Sequence, residues 1–78
     1  MPRYYFHSVH NGVVRDGEGM QLRDIDHAKR HATLFAGDLL KEVDGGVFTD
    51  DLSIDVTNDR GLLLFRIAIS GIVAPGAG

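Results

Sequence analysis

Residues 52–57, LSIDVT, alternate apolar and polar one by one, the period-two mark of a strand with a single buried face. The next apolar run, LLLFRIAIS (62–70), keeps that alternation but has a greasier outside. Leu63, Phe65, Ile67 and Ile69 form one wholly apolar face, assigned to the core. Leu62, Leu64, Arg66 and Ala68 form the other, with one charge among them. NDRG (58–61) lies between the two runs and predicts the turn, Gly61 supplying the permissive backbone. Near the N-terminus, RYYFHSV (3–9) has the aromatic content of a strand. Alternation sends Tyr4 and Phe6 to one side and Tyr5 to the other, which argues against an aromatic platform for stacking bases. Asn11-Gly12 is a strong hairpin signal, since both residues tolerate the positive φ of a type I′ turn. A two-residue turn there predicts His10 opposite Val13, Val9 opposite Val14, Ser8 opposite Arg15 and His7 opposite Asp16. DGEG (16–19) reads as a second turn, leaving 20–22 as a short third strand.

Between the two halves the period lengthens. Ile25, Ala28, Ala32, Phe35, Ala36, Leu39 and Val43 recur at spacings of three and four, the apolar stripe of one helix. Asp24 is its expected N-cap, and Asp26 suits the positive end of the helix dipole. Gly45 or Gly46 is expected to end it in the left-handed conformation. At 100° per residue, His27 falls nearly opposite the centre of the stripe and His31 at its border, with Leu34 and Asp38 continuing that wet edge. GVFTDD (46–51) reads as a solvated loop, and the tail GIVAPGAG has little to order it. The assembled expectation is an α+β domain, ββαββ, over 1–70, with a flexible tail over 71–78. Two antiparallel hairpins form a sheet packed on one helix, with the strand order left open.

Composition narrows the function. The chain has 78 residues, 44% hydrophobic and 24% charged, which is globular usage for a single small domain. A core of this size supplies roughly 3–5 kcal/mol of net stability. There is no cysteine, so disulfides and thiolate metal sites are excluded, and a reducing compartment fits. Self-association is then the common remaining route to stability. No apolar stretch is long enough to span a membrane, and MPRYYFHSVH lacks the apolar run of a signal peptide, so a cytoplasmic setting is expected. The formal net charge is −3, and Lys29, Arg30 and Lys41 on the helix are offset by Asp24, Asp26, Asp38 and Glu42. Without a basic face, nucleic-acid binding is not expected.

Three features carry candidate chemistry. His27 and His31, at i and i+4 in DHAKRH, can present two imidazoles to one metal ion; Asp24, Asp38, His7 or His10 are the residues available to complete the shell. Ala28 stands where a zinc protease carries its glutamate, so protease chemistry is not implied. His7 facing Asp16 resembles an oriented acid–base pair, but no nucleophile or oxyanion-stabilising loop accompanies it, and catalysis is not expected. DGEG lacks the acidic run and closing glutamate of a calcium loop. The remaining feature is surface: Leu62, Leu64 and Ala68 on the outer sheet face, with Leu34 on the helix, exceed what a small domain comfortably exposes.

The opening MPRYYFH, followed by a hairpin and RDGEGMQLRDIDHAKRHA, resembles a family of small, rhizobial-type bacterial proteins, the DUF6894 domains. Members typically begin Met-Pro-Arg-Tyr-Phe-Phe-His. Arg3, Tyr4, Phe6, His7, Asp16, Gly19, Leu22, Ala28, Ala32, Asp59 and Gly61 stand at corresponding places, so the likeness covers nearly the whole chain. Ser8, where members usually carry valine, and the tail after Ser70 depart from it. The resemblance implies the architecture and a cytoplasmic setting. It implies no activity and no cofactor, and DHAKRH is outside the signature. The leading expectation is a non-enzymatic interaction module that homodimerises or docks on a larger bacterial protein, through the outer sheet face or an edge strand. The alternative is a metal-binding or metal-sensing protein using His27 and His31.

Overall fold

The computed structural model describes residues 1–78. Five strands and one long helix follow in order: β1 (Arg3–Val9), β2 (Val13–Val14), β3 (Met20–Gln21), α1 (Ile25–Glu42), β4 (Leu52–Thr57) and β5 (Leu63–Ile69). A 3₁₀ turn, Asp44–Phe48, joins α1 to β4. This is the expected α+β arrangement of hairpins packed on a helix. The sheet is antiparallel with order β2-β1-β4-β5, and β3 pairs with the first residues of β1. The two hairpins therefore join through β1 and β4, the first strand of each.

The helix starts as its sequence dictates. Asp24 is the N-cap, and its carboxylate accepts the His27 backbone N–H at 2.9 Å. The alanine stripe decides how it packs. Ala28, Ala32 and Ala36 are buried in one cluster with Tyr4, Phe6, Leu22, Ile54 and Val56. Side chains this small let the helix backbone approach the sheet closely, and the larger Phe35 and Leu39 flank that line half-buried.

Four expectations are corrected. The first hairpin has Val9 opposite Val13 and Ser8 opposite Val14, one step from the two-residue-turn register. His10, Asn11 and Gly12 form a three-residue loop, closed by the His10 N–H donating to the Gly12 carbonyl at 2.9 Å. The His10 ring also lies 3.4 Å from the Gly46 carbonyl, which draws it out of the ladder. A one-residue slip exchanges the faces of everything downstream.

The helix stop also differs. Asp44, not a glycine, takes the left-handed conformation, with φ 54°. Aspartate tolerates that region better than most residues, so Gly45 and Gly46 are left free to enter the 3₁₀ turn. Residues 46–51 are consequently not a plain solvated loop. Val47 is buried, its carbonyl accepts the Gly71 N–H at 3.3 Å, and the Phe48 ring packs on Gly71.

The fourth correction concerns β5. Phe65 pairs with Val56, but Leu63 pairs with Thr57, so Leu64 is an extra residue in a bulge. The bulge turns Leu64 inward against the core and leaves Leu63 46% exposed, reversing their assigned faces. Phe65, Ile67 and Ile69 pack on the core as expected. Beyond Gly71 the tail makes little contact, with Ile72 84% exposed. No helix is long and apolar enough to cross a membrane.

Candidate functional site

The slipped register determines what His7 and Asp16 do to one another. The Asp16 carboxylate is not aimed at the imidazole. Its Oδ2 accepts the Phe6 N–H at 3.2 Å, and its Oδ1 accepts the Glu18 and Gly19 N–H groups at 3.0 Å each. Burial pushes the Asp16 carboxyl up, but the N–H donors of Gly19, Glu18 and Phe6 outweigh it and hold the group below the usual carboxylate range. The Asp16 backbone N–H meets the histidine instead, donating to His7 Nδ1 at 3.0 Å. A nitrogen that accepts carries no proton, so Nε2–H donates to Thr57 Oγ1 at 3.1 Å. Both ring nitrogens are thus engaged by the protein. Asp16 organises the DGEG turn, and His7 ties that turn to β4.

Next to His7 on the outer sheet face, Asp55 and Arg66 form a bidentate pair across β4 and β5, at 2.6 and 3.0 Å. The Arg66 hydrogen bond draws the Asp55 carboxyl below its ordinary range despite the opposing effect of burial, and raises the guanidinium in turn. Both carboxylates titrate lower in the folded chain than in the unfolded one. They therefore stabilise fully above the unfolded value of about 4, and that contribution is lost as pH falls through the folded values. Thermal melting should accordingly be flat with respect to these two groups above about pH 5 and fall below about pH 4. In the double variant Asp16→Asn/Asp55→Asn the acid fall should be shallower than in wild type; an unchanged acid limb would show that neither pairing matters.

The candidate metal and interface residues are scattered. His27 is exposed at the first turn of α1, while His31 is half-buried with its ring edge on Phe6, centroids 4.6 Å apart. With Phe35, Val14 and Met20, these two rings line a shallow groove of about 350 Å³ beside the β2 end of the sheet. No three His, Asp or Glu side chains gather anywhere as a metal-holding group, so an ion on His27 and His31 would take its other ligands from water or another molecule. Leu34 is 71% and Leu62 63% exposed, and Ala68 lies on the outer face beside Ser53. The bulge removes Leu64 from that set. The outer face is mainly polar, carrying His7, Ser53, Asp55, Thr57 and Arg66.

The feature with the most unused bonding capacity is β5. It pairs with β4 on one side and with nothing on the other. Its residues LLFRIAI include one charge, and Asp55 already neutralises it. The sequence predicts 62–70 as a strand but cannot place it at the edge, because strand order depends on contacts between distant segments. The Asp55–Arg66 pair was also missed. They are the only charged residues of two runs joined by NDRG, both on the faces assigned away from the core, which is a usable signal for a cross-strand ion pair.

These features define a class: a single-helix α+β domain whose antiparallel sheet ends in a bare apolar edge strand. Within that class, the chain belongs to the DUF6894 family. The family model, described as a domain of unknown function, matches residues 3–70 and so includes every strand and the helix. No curated protein and no solved structure shows significant similarity to this chain.

Proposed function

We propose that this chain is a cytoplasmic, non-enzymatic interaction module that binds protein by strand addition at β5. One observation carries the reading: a seven-residue, mainly apolar strand stands unpaired on one side. Alternate residues of such a strand hold out N–H and C=O groups that only water or another strand can satisfy. Soluble domains usually blunt such an edge with charged residues, proline, a bulge or a covering segment. In β5 the bulge lies at Leu64, near one end, and the one charge, Arg66, is held by Asp55, so Phe65–Ile69 has no lysine, no proline and no covering tail. The exposed Leu62 just before the strand extends the apolar strip that Leu63 begins, while the lack of cysteine suits a reducing interior.

Hydrogen exchange provides the test, with a synthetic strand as ligand. Adding the peptide LFRIAIS in excess should slow exchange at alternate amides of β5 and leave the β1–β4 amides as they were. If the outward β5 amides exchange freely at every peptide concentration, strand addition is not how this domain works.

A further inference from the structure

Resting on that reading, we infer that the added strand is the β5 of a second copy, running antiparallel about a two-fold axis at Ile67. A two-fold normal to the sheet keeps the same face of both copies on the same side. Directly opposed residues must then share a face, which restricts the axis to a residue rather than a gap between residues. The usable positions are Phe65, Arg66, Ile67 and Ala68.

Two independent features select among them. The bulge takes Leu64 out of the ladder, so the regular part of β5 is Phe65–Ile69, whose midpoint is Ile67. Only that axis engages all of it; an axis at Phe65 drives the bulge into the new ladder. An axis at Ala68 carries the ladder past the end of the strand to Ser70 and Gly71, and Gly71 is already bonded to Val47 and packed under Phe48. Charge supplies the second feature. An axis at Arg66 sets two guanidinium groups directly opposite each other, which is unfavourable. With the axis at Ile67, Arg66 lies opposite the partner's Ala68, and each Arg66 keeps its own Asp55.

The side chains favour the same register. On the core face, Ile67 meets its own copy and Phe65 meets Ile69, an aromatic–β-branched pair of the kind that stabilises neighbouring strands. Phe65, Ile67 and Ile69 are only half-buried in one chain, so this pairing closes the open flank of two small cores together. The ladder is short, and the dimer is expected to dissociate on dilution.

The chain has no cysteine, so each one introduced is unique. Sedimentation over a range of concentrations comes first, followed by mild oxidation of mixed Arg66→Cys and Ala68→Cys chains. Opposed Cα atoms in a ladder are about 4.5–5.5 Å apart, within disulfide reach, whereas positions offset by two residues are about 8 Å apart. The expected result is a concentration-dependent dimer that cross-links Arg66→Cys to Ala68→Cys far more than either variant to itself. Ile67→Cys should cross-link to its own copy, an independent check should Arg66→Cys fold poorly. A chain that stays monomeric at high concentration overturns the inference while the peptide test of strand addition still stands. A dimer in which Arg66→Cys pairs with itself, or in which none of these pairs forms, overturns it too.

Discussion

Replacing Gly19 by alanine is expected to leave little of the domain folded. Gly19 has φ +70°, and a Cβ built there would lie 2.9 Å from the Tyr4 carbonyl oxygen and 2.8 Å from the Tyr5 ring. Tyr5 could rotate, but the Tyr4 carbonyl belongs to β1 and cannot retreat without disturbing it. The left-handed backbone costs a non-glycine residue roughly 1–2 kcal/mol. The steric conflict adds about 1–3 kcal/mol. Their sum is comparable with the roughly 3–5 kcal/mol that a domain of this size has to lose. The substitution also strains a turn whose N–H groups, that of Gly19 included, hold the Asp16 carboxylate. Gly17 supplies the control: it stands two residues away, its φ is not positive, and a Cβ there meets nothing within 4 Å. Urea unfolding should show Gly17→Ala within about 0.5 kcal/mol of wild type. Comparable midpoints for the two variants would mean that the 16–19 turn is not held as described.

That contrast between neighbouring glycines shows where sequence reading stops. DGEG announces a turn, but which glycine is irreplaceable depends on Tyr4 and Tyr5, which approach from β1. Features set by nearest neighbours were legible: the Asp24 cap, the alanine stripe, the LSIDVT alternation and the shared side of Tyr4 and Phe6. Features set by competition between distant groups were not. Asn11-Gly12 suits a two-residue or a three-residue loop, and the choice rests with His10, Gly46 and the Asp16 turn. LLLFRIAIS alternates cleanly on paper, yet the bulge at Leu64 exchanges the roles of Leu63 and Leu64. His7 and Asp16 were recognised as neighbours, but the atoms that meet are an imidazole nitrogen and a backbone amide rather than two titrating side chains. The likeness carried by MPRYYFH identified the family; an open edge can be recognised only after the strands are ordered.

Truncating Ile54 to alanine is expected to be among the most costly single changes in the core. Ile54 is 0% exposed at the middle of β4, opposite Ser8 of β1 on one side and Ile67 of β5 on the other. Burying and then deleting a side chain of this size costs about 2–5 kcal/mol, the spread reflecting how far the surroundings can collapse. Here they can collapse very little. The buried helix residues in the same cluster are Ala28, Ala32 and Ala36, which have no rotamers with which to fill a void. The upper half of that range is therefore expected, enough to unfold much of the population at neutral pH. Ile54→Val, which removes one methyl group, should cost about 0.5–1.5 kcal/mol and stay folded. Both are best measured by urea unfolding at low protein concentration, because pairing through β5 would add stability by mass action and mask part of the loss. If Ile54→Ala costs no more than Ile54→Val, the helix is not seated on β4 as closely as the alanine stripe requires. A large loss would instead show how narrow the stability margin of this core is, and so how much the proposed pairing through β5 would add to it.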